Sequence, residues 1–309
     1  SLRTDSKRLA EATIAAYRRF GYDAVRVFTD LYMQPEAMGA KVRVPVDETA
    51  HLDAPAISTA EQVGQLVPHD PHRNGPLPLL LDALQRVQDA LGHEVPVTCA
   101  VEGPFTLAAL VAGAETLSRW MVKQPDTAHR LLAVCTESSR LLAEAVLSEG
   151  AVPSLTDAMS STTVVSPRHF REFSFPYLKR LVDFIASRGK QVTLHICGKT
   201  APIWNDMADT GAACLSLDDL ANLADAKVAV GDRVCLMGNV PPADILLQGT
   251  PHDVRRAVRQ CVAQAWDNPR GYIIASGCSL PTETPFENID AMMAAAREIA
   301  VPDGPPDEA

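Results

Sequence analysis

Residues 191–240 read Q-V-T-L-H-I-C-G-K-T-A-P-I-W-N-D-M-A-D-T-G-A-A-C-L-S-L-D-D-L-A-N-L-A-D-A-K-V-A-V-G-D-R-V-C-L-M-G-N-V. Three short apolar runs, Gln191–Cys197, Ala213–Asp218 and Val234–Asn239, are separated by two stretches with helical spacing, Ala201–Thr210 and Leu220–Val230. Strands joined by helices run parallel, because the helix carries the chain back to the starting edge before the next strand begins.

The same rhythm extends outward. Strands are expected at Ala24–Asp30, Val95–Glu102 and Val152–Asp157 on one side and at Tyr272–Cys278 on the other. Helices are expected at Asp5–Phe20, Pro76–Leu91, Thr127–Ser148, Pro167–Arg188, Pro251–Trp266 and Phe286–Ile299. The fold class is therefore α/β, a (β/α)8 TIM barrel, although seven strands are one short of closure. The chain opens in a helix that would follow a strand, so the first strand is expected before Ser1. A doubly wound open sheet is the alternative, but no glycine-rich loop follows Ala24–Asp30 as a dinucleotide fold would require. Lys41–Glu48 alternates as K-V-R-V-P-V-D-E and reads as a hairpin arm, with Pro45 confining it to an edge. Thr49–Gly75 reads as mostly loop, with a short helix near Thr59–Leu66. The expected organisation is one barrel domain over residues 1–301, with an excursion at 41–75 and a loose acidic tail, Pro302–Ala309.

Composition narrows the function. A net charge of -10 and the absence of a basic stripe argue against a nucleic-acid binder. No apolar run approaches the ~20 residues of a membrane span, and the polar helical start is unlike a secretory signal. Seven cysteines without tight spacing do not suggest a disulfide framework, so a cytoplasmic protein with reduced thiols is expected.

Chemistry concentrates at strand ends. His195 and Cys197 lie two apart in Q-V-T-L-H-I-C-G, so their side chains share a face. Cys278 closes the last strand, and in a barrel the carboxyl ends of all strands meet at one mouth. One imidazole and two thiolates suit zinc, and three ligands leave the open position of a catalytic site. Two thiolates already offset the charge of Zn²⁺, which favours a bound thiol acting as nucleophile over water activation. On the pattern alone, a metal site and ordinary buried core both remain open. Cys99, Cys135, Cys214, Cys235 and Cys261 read as small hydrophobes. Asp30, Glu102, Asp157, Asp218 and Asn239 also end strands, where they could bind substrate, cap a helix or be solvated. Glu102 is the first choice for a fourth ligand or a partner of His195.

The chain resembles the uroporphyrinogen decarboxylase superfamily, and within it the methylcobalamin:coenzyme M methyltransferase branch. The resemblance runs through F-G-Y-D-A-V-R-V (20–27), E-A-M-G (36–39), V-E-G-P-F-T-L-A (101–108), L-H-I-C-G-K-T (194–200), G-D-R-V-C-L-M-G-N-V (231–240) and S-G-C-S-L-P-T-E-T-P-F-E-N-I (276–289). It implies a zinc site at His195, Cys197 and Cys278. It also implies methyl transfer from a methylated corrinoid, presented by a corrinoid protein, to a zinc-activated thiol such as coenzyme M or to an acceptor such as tetrahydrofolate. Glu102, Asp157 and Asp30 are the expected catalytic carboxyls, and Lys199 and Asn239 the expected binding groups. Lys199 and Arg26 are the cations that could meet a sulfonate; a loop charge and a core ion pair are their plainer roles. The rival is a metal-free decarboxylase-like lyase, which V-F-T-D-L (27–31) resembles around Asp30. Against it stands the H-x-C…C pattern, since the decarboxylase carries glycine at the position of Cys197 and histidine at that of Cys278. A barrel that merely binds a corrinoid or its carrier protein would share the same pattern.

Overall fold

The computed structural model describes residues 2–28, 30–45 and 49–299. Its nine strands are β1 (Val25–Val27), β2 (Lys41–Arg43), β3 (His51–Ala54), β4 (Val97–Glu102), β5 (Val152–Thr156), β6 (Thr193–Ile196), β7 (Cys214–Leu217), β8 (Cys235–Val240) and β9 (Tyr272–Ser276). Seven form one all-parallel sheet in the order β1-β4-β5-β6-β7-β8-β9, each neighbour being the next in sequence apart from the β2–β3 excursion. The seven strands read from sequence are these seven, curled with their helices into a TIM-barrel-like arrangement.

Strand register sorts the side chains into two sets. Pairing Glu102 with Thr156, Thr156 with His195, and His195 with Ser216 places those four on one face, the inside of the curl. The opposite face carries Val101, Leu155, Leu194, Leu215 and Leu236, each fully buried against the surrounding helices. Full burial of a leucine is worth about 1.5–3 kcal/mol, so this outer face anchors the sheet. The inner face also carries Arg26, Thr98, Ser154, Thr193 and Cys214.

The helices follow their sequence signals. Ser6–Phe20 begins where the Asp5 side chain accepts the Arg8 N–H at 3.0 Å, and it ends at Gly21, whose φ of 67° is left-handed. Ala60–Val63 starts in a Thr59/Gln62 capping box. Within residues 167–187 the winding widens over Phe170–Ser174, just ahead of Pro176, which has no N–H to give to the preceding turn.

Two features differ from the sequence reading. The second arm of the hairpin is β3, inside the segment read as loop, pairing antiparallel with β2. Helices Pro104–Ala112 and Ala114–Lys123 fill a stretch where no helix was expected. Pro104–Ala112 is buried on nearly every side and packs against helix Pro125–Ser148, so a one-sided apolar stripe is absent by construction. Residues 46–48 of the proposed hairpin arm and the tail Pro302–Ala309 lie outside the described residues. No helix among the described residues is long and apolar enough to cross a membrane.

Candidate metal centre

β6 ends in His195 and Ile196 with Cys197 next in the chain, and the period of two sends Ile196 outward into the core, fully buried, while its two neighbours face inward. Cys278 arrives from beyond β9. The His195 Nε2 lies 3.1 Å from Cys197 Sγ, and the two thiol sulfurs are 3.9 Å apart. The three donor atoms all fall within 4.8 Å of one another. A tetrahedral zinc with Zn–S bonds of ~2.3 Å would set its sulfurs about 3.8 Å apart, so the cluster fits such an ion. At 3.9 Å the sulfurs are far outside the ~2.05 Å of a disulfide.

The surroundings orient each donor. His195 Nδ1 lies 3.1 Å from both the carbonyl and the hydroxyl oxygen of Ser216, its register partner on β7. A proton on Nδ1 donated to that carbonyl leaves Nε2 unprotonated and aimed at the sulfurs. Gly198 turns the chain away from Cys197 with φ of 72°, and its N–H donates to Asp218 Oδ2 at 2.7 Å. A Cβ at Gly198 would lie 2.7 Å from Thr163 Oγ1, so no side chain fits there. Hydrogen bonding from the Cys197 thiol, then from His195, pulls the Cys278 thiol down to about 4. The same contact with Cys278, reinforced by burial, raises Cys197. The contact thus favours loss of the Cys278 proton ahead of that of Cys197.

The remaining sequence candidates occupy distinct places. Glu102 is fully buried at the end of β4, where burial foremost, with Asp30 adding and Arg26 opposing, lifts its carboxyl to about 8. Its carboxylate is not part of the three-residue cluster, and His195 is held by Ser216 instead. The place expected for Glu102 as the partner of His195 is taken by Ser216, the register neighbour that reaches the imidazole.

Asp30 accepts from Arg3 Nε at 2.8 Å and from the Tyr32 N–H at 2.7 Å, and lines a recess beside Phe28, Gln34 and Glu102. Asp157 is buried, with Oδ1 accepting the Thr106 N–H at 2.7 Å and Oδ2 accepting the Ser174 hydroxyl at 3.1 Å. Thr106 lies in the first turn of Pro104–Ala112, whose N-cap is Gly103, so Asp157 supplies the cap that glycine lacks. Asn239 donates to the carbonyls of Asp218 and Ala221 at 2.9 and 2.7 Å, tying down the loop after β7. Lys199 is exposed, while its backbone holds Thr162 and Thr163 against the Cys197 turn. The bracing roles of Ser216 and Asp218 depend on pairing between strands some twenty residues apart. Only the strand-end position of Asp218 was visible beforehand.

A parallel barrel sheet with an imidazole and two thiols at the carboxyl ends of its strands defines a class, a barrel enzyme organised around soft-metal donors. The family model for uroporphyrinogen decarboxylase (URO-D) matches residues 1–299. Methylcobamide:CoM methyltransferase MtaA of Methanosarcina barkeri is 31% identical over 297 residues, covering 96% of this chain and 85% of that protein. A uroporphyrinogen decarboxylase of Vibrio campbellii is 28% identical over 314 residues, covering 98% and 86%. The solved structure of a methyltransferase from Methanosarcina mazei superposes with a TM-score of 0.89 at 28% identity, over 96% of this chain and 86% of that one. The chain belongs to the uroporphyrinogen decarboxylase family, as an enzyme of its methylcobalamin:coenzyme M methyltransferase-like branch.

Proposed function

We propose that the protein is a zinc-dependent methyltransferase that moves a methyl group from a methylated corrinoid, carried by a corrinoid protein, to an acceptor thiol of the coenzyme M type. The observation that carries this reading is the convergence of His195, Cys197 and Cys278 within 4.8 Å, with the Nδ1 of His195 already engaged by Ser216. Zinc bound there would supply a positive centre that keeps an acceptor thiol deprotonated at neutral pH, its charge moderated by two cysteine thiolates so that the acceptor sulfur remains nucleophilic. His195 and the two cysteines hold the metal; Ser216 fixes the imidazole; Asp218 and Gly198 fix the turn that aims Cys197. In the transfer, the acceptor thiolate forms the new carbon–sulfur bond as the cobalt–carbon bond breaks, and both electrons of that bond leave with the corrinoid as cob(I)alamin.

In this reading Glu102 lies on the inner wall, where burial favours its protonated form, and Asp30 pairs with Arg3 at the recess rim. Asp157 and Asn239 shape the mouth rather than touch reactants, and the exposed Lys199 faces the approach of the carrier protein. The chain works as one barrel unit over residues 1–301, inside the cytoplasm.

The test mixes zinc-loaded protein with free methylcobalamin and either 2-mercaptoethanesulfonate or tetrahydrofolate, following the methylcobalamin absorbance. Decay with the thiol, together with a methylated thiol product, supports the proposal. Decay with the folate alone would reassign the acceptor, and an intact cobalt–methyl bond with both would leave a corrinoid-binding barrel. Decarboxylation of uroporphyrinogen by metal-free protein would support the lyase reading.

A further inference from the structure

Arg26 sits on the inner face of β1, in register with Thr98 of β4. Its guanidinium reaches along the inside of the curl to Thr156, donating from Nη2 to Oγ1 at 2.7 Å. Thr156 is the register partner of His195, so it stands one strand away from the metal-ligand row, roughly 5 Å across the sheet. The Phe28 ring lies against the guanidinium, its centroid 5.2 Å from Cζ. The expected core ion pair is absent: the Thr156 hydroxyl is its one hydrogen-bond partner among the described residues, and no carboxylate pairs with it.

A guanidinium in this setting has unused capacity. It carries five N–H donors in a planar fork and remains charged in any protein environment. Protein packed around it lowers its pKa, against the attraction of Cys99, Glu102, Cys278 and Cys197, so its charge is felt at both sulfurs of the cluster. The side chain is nevertheless open to solvent, so a small molecule can reach it. Glu102 is the nearby carboxyl that could neutralise it, and burial keeps Glu102 largely protonated below pH 8. A cation with one face on an aromatic ring and no fixed counter-ion, aimed toward a thiol-binding centre, is built to receive an anion.

The geometry points to Arg26, backed by Phe28 and oriented by Thr156, as the anchor for a sulfonate or carboxylate carried by the methyl acceptor. This rests on the reading that a thiol acceptor binds at His195, Cys197 and Cys278. The anchor selects acceptors by charge. An acid thiol compensates the guanidinium, whereas a neutral thiol leaves it uncompensated. Lys199, exposed on the loop beyond Cys197, offers only a solvated point charge.

Binding tests this separately from turnover. Zinc-loaded protein is titrated calorimetrically with 2-mercaptoethanesulfonate, 3-mercaptopropionate and neutral 2-mercaptoethanol, and ethanesulfonate, which has no thiol, serves as competitor. The expected result is that wild type binds both acid thiols at least about tenfold tighter than the neutral one. Arg26→Gln should erase that preference while leaving 2-mercaptoethanol binding and zinc content unchanged, and Arg26→Lys should restore part of it. Should Arg26→Gln fail to fold, the wild-type preference and its loss to ethanesulfonate competition still decide the matter. Equal binding of charged and neutral thiols, including no binding of either, overturns the assignment. A preference that survives in Arg26→Gln, or that disappears in Lys199→Ala instead, does the same. Relative strength of sulfonate and carboxylate identifies which acid the fork takes. A retained binding preference with no methyl transfer to any thiol would refute the proposed activity and leave the anion site standing.

Discussion

Replacing Asp157 with alanine separates a structural role from a catalytic one. Its carboxylate is fully buried and both oxygens are engaged, one by the Thr106 N–H at 2.7 Å and one by the Ser174 hydroxyl at 3.1 Å. Alanine leaves a buried backbone donor without a partner, at about 1–3 kcal/mol. Loss of a helix cap costs about 0.5–2 kcal/mol when measured as a whole, and that figure overlaps with the first. Ser174 can turn its hydroxyl elsewhere, so it adds roughly 1 kcal/mol. Removing a carboxylate whose burial is itself unfavourable, as its raised pKa indicates, returns part of the sum. The net expectation is a destabilisation of about 2 kcal/mol for Asp157→Ala and about half that for Asp157→Asn, which keeps one acceptor. Urea unfolding followed by far-ultraviolet circular dichroism measures both, with the slope unchanged so that the midpoint shift reports stability. A loss below about 1 kcal/mol for alanine would refute the capping argument. Abolished methyl transfer at unchanged stability would place Asp157 in the chemistry instead.

Gly198→Ala forces a Cβ to within 2.7 Å of Thr163 Oγ1 at a left-handed φ of 72°, so Cys197 must shift. Zinc affinity should fall about 10–100-fold in a competition titration with a chelating dye, beside a loss of about 1–3 kcal/mol in stability from the strained backbone; unaltered affinity would show that the turn does not position the thiolate. Glu102 has its folded pKa raised from an unfolded value near 4.5 to about 8, so the native state binds the extra proton between those values and its contribution to stability is lost as pH rises through 8. Glu102→Gln should therefore gain stability over wild type on going from pH 5 to pH 9, by on the order of 2–4 kcal/mol. Denaturant midpoints of both proteins at the two pH values check this, and a pH-independent difference would contradict it.

The strand set was legible in the sequence because each strand buries an apolar face and is followed by a helix with its own period. The convergence of His195, Cys197 and Cys278 was legible for a related reason: the two-residue spacing of His195 and Cys197 fixes a shared face, and a parallel barrel brings Cys278 to the same end. What sequence could not supply was register. Ser216 meets His195 because β6 and β7 pair in one particular alignment, and nothing local to either strand announces it. The same holds for Arg26, where an internal ion pair was expected and the strand alignment instead delivers Thr156. Helix Pro104–Ala112 escaped notice because a segment buried all round has no polar face to reveal its period. Strand-end polarity left several roles open. Asp157 and Asn239 hold backbone groups of neighbouring loops, a role that short polar side chains take up wherever a turn leaves donors or acceptors buried.

The most direct test of the metal centre is the zinc content of protein purified under reducing, chelator-free conditions, for wild type beside a His195→Ala, Cys197→Ser double variant. The expected result is close to one zinc per wild-type chain and little in the variant, with both folded. Wild-type protein without metal, or a variant that retains it, would contradict the assignment of His195, Cys197 and Cys278 as its ligands.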